Sequence, residues 1–267
     1  MMTPGSLIEG AVGILRCADP AGKIALSHAV AEAWASGALP VGKRITPPDR
    51  PARPDRPALL PPRDMPRRRK AGAEASRVAL LHAVAHIELN AIDLAWDLIA
   101  RFEPPGAGFY DDWVRVADEE ARHHGLLAGR LAEYGAAYGD LPAHGGLWPA
   151  AEATAHDLLA RLAVVPMVLE ARGLDVTLPM IESLSRVGDH ASAAVLRVIY
   201  RDEIGHVAIG LRWFEQVCRQ SGRTPMTAWH DLVRRHYGAL LKRPFNAAAR
   251  LAAGFDAAFY EPLAEQA

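Results

Sequence analysis

From residue 73 onward, apolar side chains recur every three or four positions, and no alternation of period two persists. That spacing is the signature of amphipathic helices. It predicts helices near 73–102, 109–136, 151–173, 177–188, 190–220 and 225–240, with a shorter one near 246–256. The stop signals agree. Pro104-Pro105-Gly106 follows the first of these, a glycine-rich stretch from Gly135 through Pro149 follows the second, and Gly222 and Pro225 bracket the end of the fifth. Ahead of them, residues 6–17 and 21–36 also carry helical spacing, separated by Asp19-Pro20 and stopped by Gly37. The pattern predicts an all-α protein.

Four of the apolar stripes are interrupted by groups that ought not to be there. In the fifth long helix, Leu196, Ile199, Glu203, His206, Gly210, Trp213 and Val217 follow a 3-4-3-4 spacing. In the second, the stripe reads Trp113, Val116, Glu120, His123, Leu127 and Tyr134. Glu88 lies among Leu81, Val84, Ile92 and Ala95, and Glu170 follows Leu159, Leu162 and Pro166. Residues i and i+3 share a helical face, so Glu120 with His123, and Glu203 with His206, point to one place. Burying such groups without a partner costs several kcal/mol each. A divalent metal pair would supply a common partner for all six.

The separations point the same way. Glu88 and Glu120 are 32 residues apart, and Glu170 and Glu203 are 33 apart. Two antiparallel helices joined by a short loop bring positions with about that separation side by side. Glu120 to Glu170 is 50 residues, because it includes the crossover 135–150. Two hairpins joined by one long crossover is the connectivity of ferritin-like four-helix bundles. The ligand set there is two lone glutamates plus two Glu-x-x-His pairs. Either Glu-x-x-His alone is a short match that chance readily supplies; the conjunction carries the weight.

Neighbouring residues compete for parts in this scheme. Glu119 lacks a histidine three residues on, which leaves it beside the ligands or at the surface. Asp202 stands where an acid accepts the second N–H of a ligating histidine. His82, His86 and His124 have no counterparts in the other half and are expected at the surface or behind the ligands. Tyr200 lies one turn before Glu203, with core packing favoured over a redox role. Pro166 should kink its helix four residues before Glu170. Gly205 and Gly210 suit either close helix packing or an open space beside the metal.

Composition changes the picture in one segment. Residues 40–70 are dense in proline and hold ten Lys/Arg against three Asp, so they predict a non-helical linker, or a strap lying over the bundle. The alternative is a contact with RNA or an acidic partner. Elsewhere the formal net charge of −1 over 267 residues gives no global reason to bind nucleic acid or anionic lipid. Cys17 and Cys218 make no disulfide framework. No signal peptide and no apolar run long enough to span a bilayer are read, and a cytoplasmic, reducing setting is expected. The expected organisation is an N-terminal helical pair at 1–39, the strap at 40–72, the bundle at 73–221 and a C-terminal helical extension at 222–267. Phe245, Phe255, Phe259 and Tyr260 leave monomer and homodimer both open.

The stretches RPARPDRPALLPPRDMPRRR, HAVAHIELNAIDLAWD, DEEARHHGLL, VVPMVLEARGLDVT and YRDEIGHVAIGLRWF make residues 40–220 resemble the ferritin-like family known as domain of unknown function 455. The resemblance implies a ferritin-like helical bundle with a carboxylate-bridged di-metal site. It carries the ligand roles onto Glu88, Glu120, His123, Glu170, Glu203 and His206, and makes the strap part of the family pattern. A more distant likeness is to the ferritin-like di-iron tRNA hydroxylase, without a matching stretch that would carry over its substrate.

Three classes of function follow as expectations. The first is an oxidoreductase of the oxidase or monooxygenase type, with two iron ions (manganese accepts the same ligands), O2 as co-substrate, and a small molecule or modified nucleoside as substrate. The second is an Fe(II)-oxidising, iron-handling protein. The third is a helical scaffold that contacts RNA or a protein through the basic strap.

Overall fold

The computed structural model describes residues 4–61, 64–65 and 72–265. Part of the strap's basic run, Arg67 to Lys70, lies outside the described residues. The chain divides into two compact units, with the boundary between Trp148 and Pro149.

The N-terminal unit is built around α3 (Glu74–Arg101) and α4 (Phe109–Glu133), which pack along each other. Two shorter helices cover this pair: α1 (Leu7–Arg16) lies on α3 and α2 (Pro20–Ala35) on α4. Both start at side-chain caps. Ser6 accepts the Glu9 N–H, and Asp19 accepts the Gly22 N–H at 2.8 Å with Pro20 in the first turn. Gly108, at φ +82°, turns the chain into α4, a conformation costly for any residue with a Cβ.

The described part of the strap packs against this unit. The N–H groups of Leu7 and Ile8 donate to the carbonyls of Pro40 and Val41, and Ala52 donates to Leu15. The Arg44 guanidinium caps the C-terminal carbonyls of α3 at Ile99 and Ala100 and pairs with Glu103. Arg53 reaches Asn90 at 2.6 Å. At its far end, β1 (Leu59–Leu60) pairs in parallel with β2 (Ala143–His144), the one strand pair among the described residues and not foreseen from periodicity.

From Leu81 to Ala100 every residue of α3 except Ile87 is buried. Its Glu88 face carries Leu81, Val84, Ile92 and Ala95, all buried. About half a turn away lies a second buried polar row of His86, Asn90, Asp93 and Asp97. Asp93 forms a buried ion pair with Lys23 and lies 3.5 Å from Arg53, while Asp97 holds Arg101. By length and composition α3 could cross a membrane, contrary to the expectation that no run is long enough, but most of that window is buried inside the fold.

The C-terminal unit contains α6 (Leu158–Val164), a π-helical segment Val165–Glu170, α7 (Ala171–Arg186) and α8 (His190–Gln220). Two expectations are corrected here. The break expected between 173 and 177 is absent, and α7 runs through it with Pro179 inside. The break falls earlier, between α5 (Trp148–Ala153) and α6, where Asp157 caps α6 by accepting the Leu159 and Ala160 N–H groups. Pro166 produces not a simple kink but the π-helical segment, in which the ladder widens by one residue to absorb its missing N–H.

The unit ends in α9 (Pro225–His236), α10 (Ala247–Ala252) and α11 (Ala257–Tyr260). The C-terminal aromatics turn inward: Phe255, Phe259 and Tyr260 are buried, with Trp229 against the two phenylalanines. The buried Arg250 guanidinium stacks over Tyr260 and pairs with Asp175 at 2.7 Å.

Candidate metal centre

Hairpin packing in the N-terminal unit brings the mid-points of α3 and α4 together, and Glu88, Glu120 and His123 meet there. All three are buried, Glu120 and His123 completely. His123 Nδ1 donates to Glu88 Oε2 at 3.1 Å and lies 3.4 Å from Glu120 Oε2. Burial alone would lower the His123 pKa. The hydrogen bonds and charges of Glu120 and Glu88 outweigh it and raise the pKa to about 11. In the metal-free protein the imidazolium thus serves as countercharge to two buried carboxylates. That position suits a cation of higher charge.

In the C-terminal unit, α8 carries Glu203 and His206 on its buried face, with His206 Nδ1 3.8 Å from Glu203 Oε1. Each Glu-x-x-His pair therefore turns the same ring nitrogen toward its own glutamate. Glu170 closes the π-helical segment and is half-buried. One turn later on the same helix, a Cβ on Gly173 would stand 3.8 Å from Glu203 Oε2, so this face of α7 looks at Glu203.

Within the N-terminal unit, Glu88, Glu120 and His123 form a buried group that could hold a metal ion. Two carboxylates and an imidazole are a hard-to-borderline donor set suited to iron or manganese, and the chemistry of the site fits a metal. Glu170, Glu203 and His206, the remaining three of the six expected ligands, lie in the C-terminal unit.

Asp202 Oδ1 lies 3.5 Å from Arg201 Nε, and Glu119 is half-buried beside Glu120, as expected of a residue next to the ligands. The Tyr200 hydroxyl accepts a hydrogen bond from the Asn246 amide at 2.8 Å, which ties α8 to the segment before α10. Gly210 is close-packed: a Cβ there would lie 2.3 Å from Pro166 Cβ. Nothing lies within 4 Å of a Cβ on Gly205.

Of the two places expected for His82, His86 and His124, the surface is excluded. All three are buried, and they enclose Tyr138 from the crossover. The Tyr138 ring stacks on His82 and His86 and meets His124 edge-on, with centroids 5.3, 6.2 and 5.1 Å apart. His82 Nε2 accepts the Gly139 N–H at 2.9 Å. The His144 carbonyl can only accept, and the Asn90 amide that also approaches His86 Nε2, at 3.2 Å, has a closer acceptor in the His86 carbonyl at 2.6 Å; the proton therefore sits on Nε2, and Nδ1 accepts from the Tyr138 hydroxyl at 2.8 Å. Burial keeps all three imidazoles below the usual histidine pKa. The signal in the sequence was the His82/His86 spacing of four on one helix face, with a tyrosine in the loop that follows α4.

These features define a mostly helical protein with a buried glutamate–histidine group able to hold a metal. Residues 16–261 match the family described as "Protein of unknown function (DUF455)", and the chain belongs to that family. It is 44% identical over 209 residues to an uncharacterized protein of Haemophilus influenzae, an alignment that spans 76% of this chain and 72% of that protein. No solved structure matches the chain.

Proposed function

We propose that this protein is a ferritin-like di-metal carboxylate protein, with two iron ions as its native metals, acting as an oxygen-dependent oxidase or hydroxylase. In this reading α3, α4, the helix formed by α6 to α7, and α8 close into one four-helix bundle, with the crossover 135–150 between the hairpins. The observation that carries it is the buried Glu88, Glu120 and His123 group of the N-terminal hairpin. In this reading Glu170, Glu203 and His206 complete the set in the repeated spacing. Four carboxylates then balance the charge of two divalent cations, while two neutral imidazoles add donors at no cost in charge. That is the arrangement a low-dielectric interior tolerates best.

A bound iron pair supplies two-electron activation of dioxygen. The protein's own contribution is geometric. The Glu-x-x-His pairs hold Nδ1 toward the carboxylates, and the apolar residues above and below them on each stripe exclude water. In the N-terminal hairpin the same packing holds Glu88, Glu120 and His123 in position before a cation arrives.

The direct test is elemental analysis of protein purified from iron-replete cells. About two iron ions per chain are expected, and less than a stoichiometric amount of iron or manganese, with no uptake of Fe(II) under anaerobic conditions, would sink the reading. Comparing metabolites and tRNA nucleosides between a deletion strain and wild type then identifies the substrate. A single accumulating precursor supports the hydroxylase, whereas unchanged pools with Fe(II)-dependent oxygen consumption favour iron handling.

A further inference from the structure

We propose that the contact between Pro166 and Gly210 is the device that positions Glu170 against Glu203 and His206, an inference that rests on the di-metal reading above. Gly210 lies on the ligand face of α8, seven residues after Glu203 and four after His206. Only the Pro166 ring stands between the two helix backbones there. A Cβ on Gly210 would stand 2.3 Å from Pro166 Cβ and 2.5 Å from its Cγ, far inside the ~3.5–4 Å at which carbon atoms make favourable contact. Neither partner can swing aside. A proline ring has no free rotamer, and the backbone of Pro166 is held in place by its own helix.

That backbone connection leads to Glu170. The bond closing the π turn runs from the Ala171 N–H to the Pro166 carbonyl, so it spans the peptides on both sides of Glu170. Moving Pro166 outward moves the turn that presents this carboxylate. The separation of Pro166 from α8 and the reach of Glu170 toward Glu203 are therefore one variable. Gly173, whose missing side chain faces Glu203 one turn later, keeps the same interface thin. Gly205 is the internal contrast, since a methyl there meets nothing and the helix has no steric need for glycine at that position.

The test uses the full chain, prepared metal-free and titrated anaerobically with Fe(II), with ions per chain read by elemental analysis beside circular dichroism. Wild type and Gly205→Ala are expected to take up two ions. Gly210→Ala is expected to keep its helical signal and to bind the ion held by Glu170, Glu203 and His206 about 10–100-fold more weakly. The reciprocal variant Pro166→Gly deletes the ring from the same contact, and with it the residue around which the π-helical segment forms, so it is expected to keep its helical signal and weaken the same ion. Full uptake by Gly210→Ala or by Pro166→Gly overturns the inference. If Gly210→Ala alone does not fold, Pro166→Gly decides by itself: one tight ion supports the inference and two tight ions overturn it. A wild-type chain that binds no iron would instead sink the di-metal reading. A wild-type chain with two ions and an unaffected Gly210→Ala would sink only the positioning role.

Discussion

The two helical hairpins share a spacing but are built differently. The first, α3 with α4, is two uninterrupted helices wrapped by α1, α2 and the described strap, and its Glu88, Glu120 and His123 already touch. The second pairs α8 with a helix that changes character halfway, at Pro166. Its Glu203 and His206 stand 3.8 Å apart, and Glu170 is only half-buried. The first hairpin holds its three donors in contact before any cation arrives, whereas the second offers a looser Glu203–His206 pair and a partly exposed Glu170. Preorganised donors bind without an ordering cost, so the N-terminal hairpin should hold the tighter ion.

Breaking that asymmetry gives the largest expected effect. Glu120→Ala should abolish high-affinity metal binding outright, because it removes one of two carboxylates that face the same imidazole nitrogen. Glu170→Ala should leave one tight ion and lose the weaker one. Anaerobic Fe(II) titrations of the two variants check this; equal losses from both would erase the proposed difference between the hairpins.

The wrapping of the first hairpin can be tested separately from metal. Asp93 is fully buried, burial pushes its pKa up, and Lys23 and Arg53 pull it back. Lys23→Met should strand part of that charge and destabilise the chain by about 3–5 kcal/mol, the cost of breaking a buried pair from one side. Urea unfolding measures it. The double variant Lys23→Met, Asp93→Leu should recover most of the loss, since a pair replaced by apolar groups often costs nothing net.

How much of this was legible follows from which periodicities carry meaning. The stripes of α4 and α8 were readable because one apolar face per helix was enough to mark Glu120, His123, Glu203 and His206 as inward. α3 was legible only in part. Glu88 stood out among Leu81, Val84, Ile92 and Ala95, but from Leu81 to Ala100 every position except Ile87 is buried, so a single apolar face does not describe the helix. The covering helices and strap make the row His86 to Asp97 interior, which excludes the surface for His82 and His86, while Tyr138 packs edge-on against His124 on α4. The strap's arginines carried two readings on composition alone. Arg44 and Arg53 are now seen to grip a helix end and a buried asparagine, contacts 55 and 37 residues away that no local pattern encodes. The π-helical segment was visible only as a proline in the wrong place.

The two glycines of α8 give a smaller and opposite pair of effects. Gly205→Ala fills open space on a helix and should stabilise the fold by up to about 1 kcal/mol. Gly210→Ala gains the same helical propensity but overpacks the contact with Pro166, for a net loss of about 1–3 kcal/mol. Thermal unfolding of the two metal-free variants compares them directly, and a shift of the same sign in both would show that the π-helical segment yields more easily than its proline suggests.

The smallest expected effect concerns the crossover's grip on the first hairpin and depends on pH. His82 is held below its ordinary pKa chiefly by burial, with the charge of Asp140 opposing, and it uses its neutral Nε2 to accept the Gly139 N–H. The folded-state pKa lies below that of the open form, so the open form binds more protons as pH falls. The grip is complete above about pH 6.5 and weakens progressively below it. Protonation of His82 also removes the acceptor that Gly139 needs. Limited proteolysis within 134–146 should therefore quicken between pH 7.5 and 5.5 while the ends of α3 and α4 stay protected. His82→Gln, whose amide oxygen can still accept the Gly139 N–H but does not titrate, should reduce that response by the part His82 carries, while His86 and His124, held down to about 4 by burial, keep the rest. An unchanged pH response in His82→Gln would mean that those two rings, and not His82, govern how firmly the crossover is held.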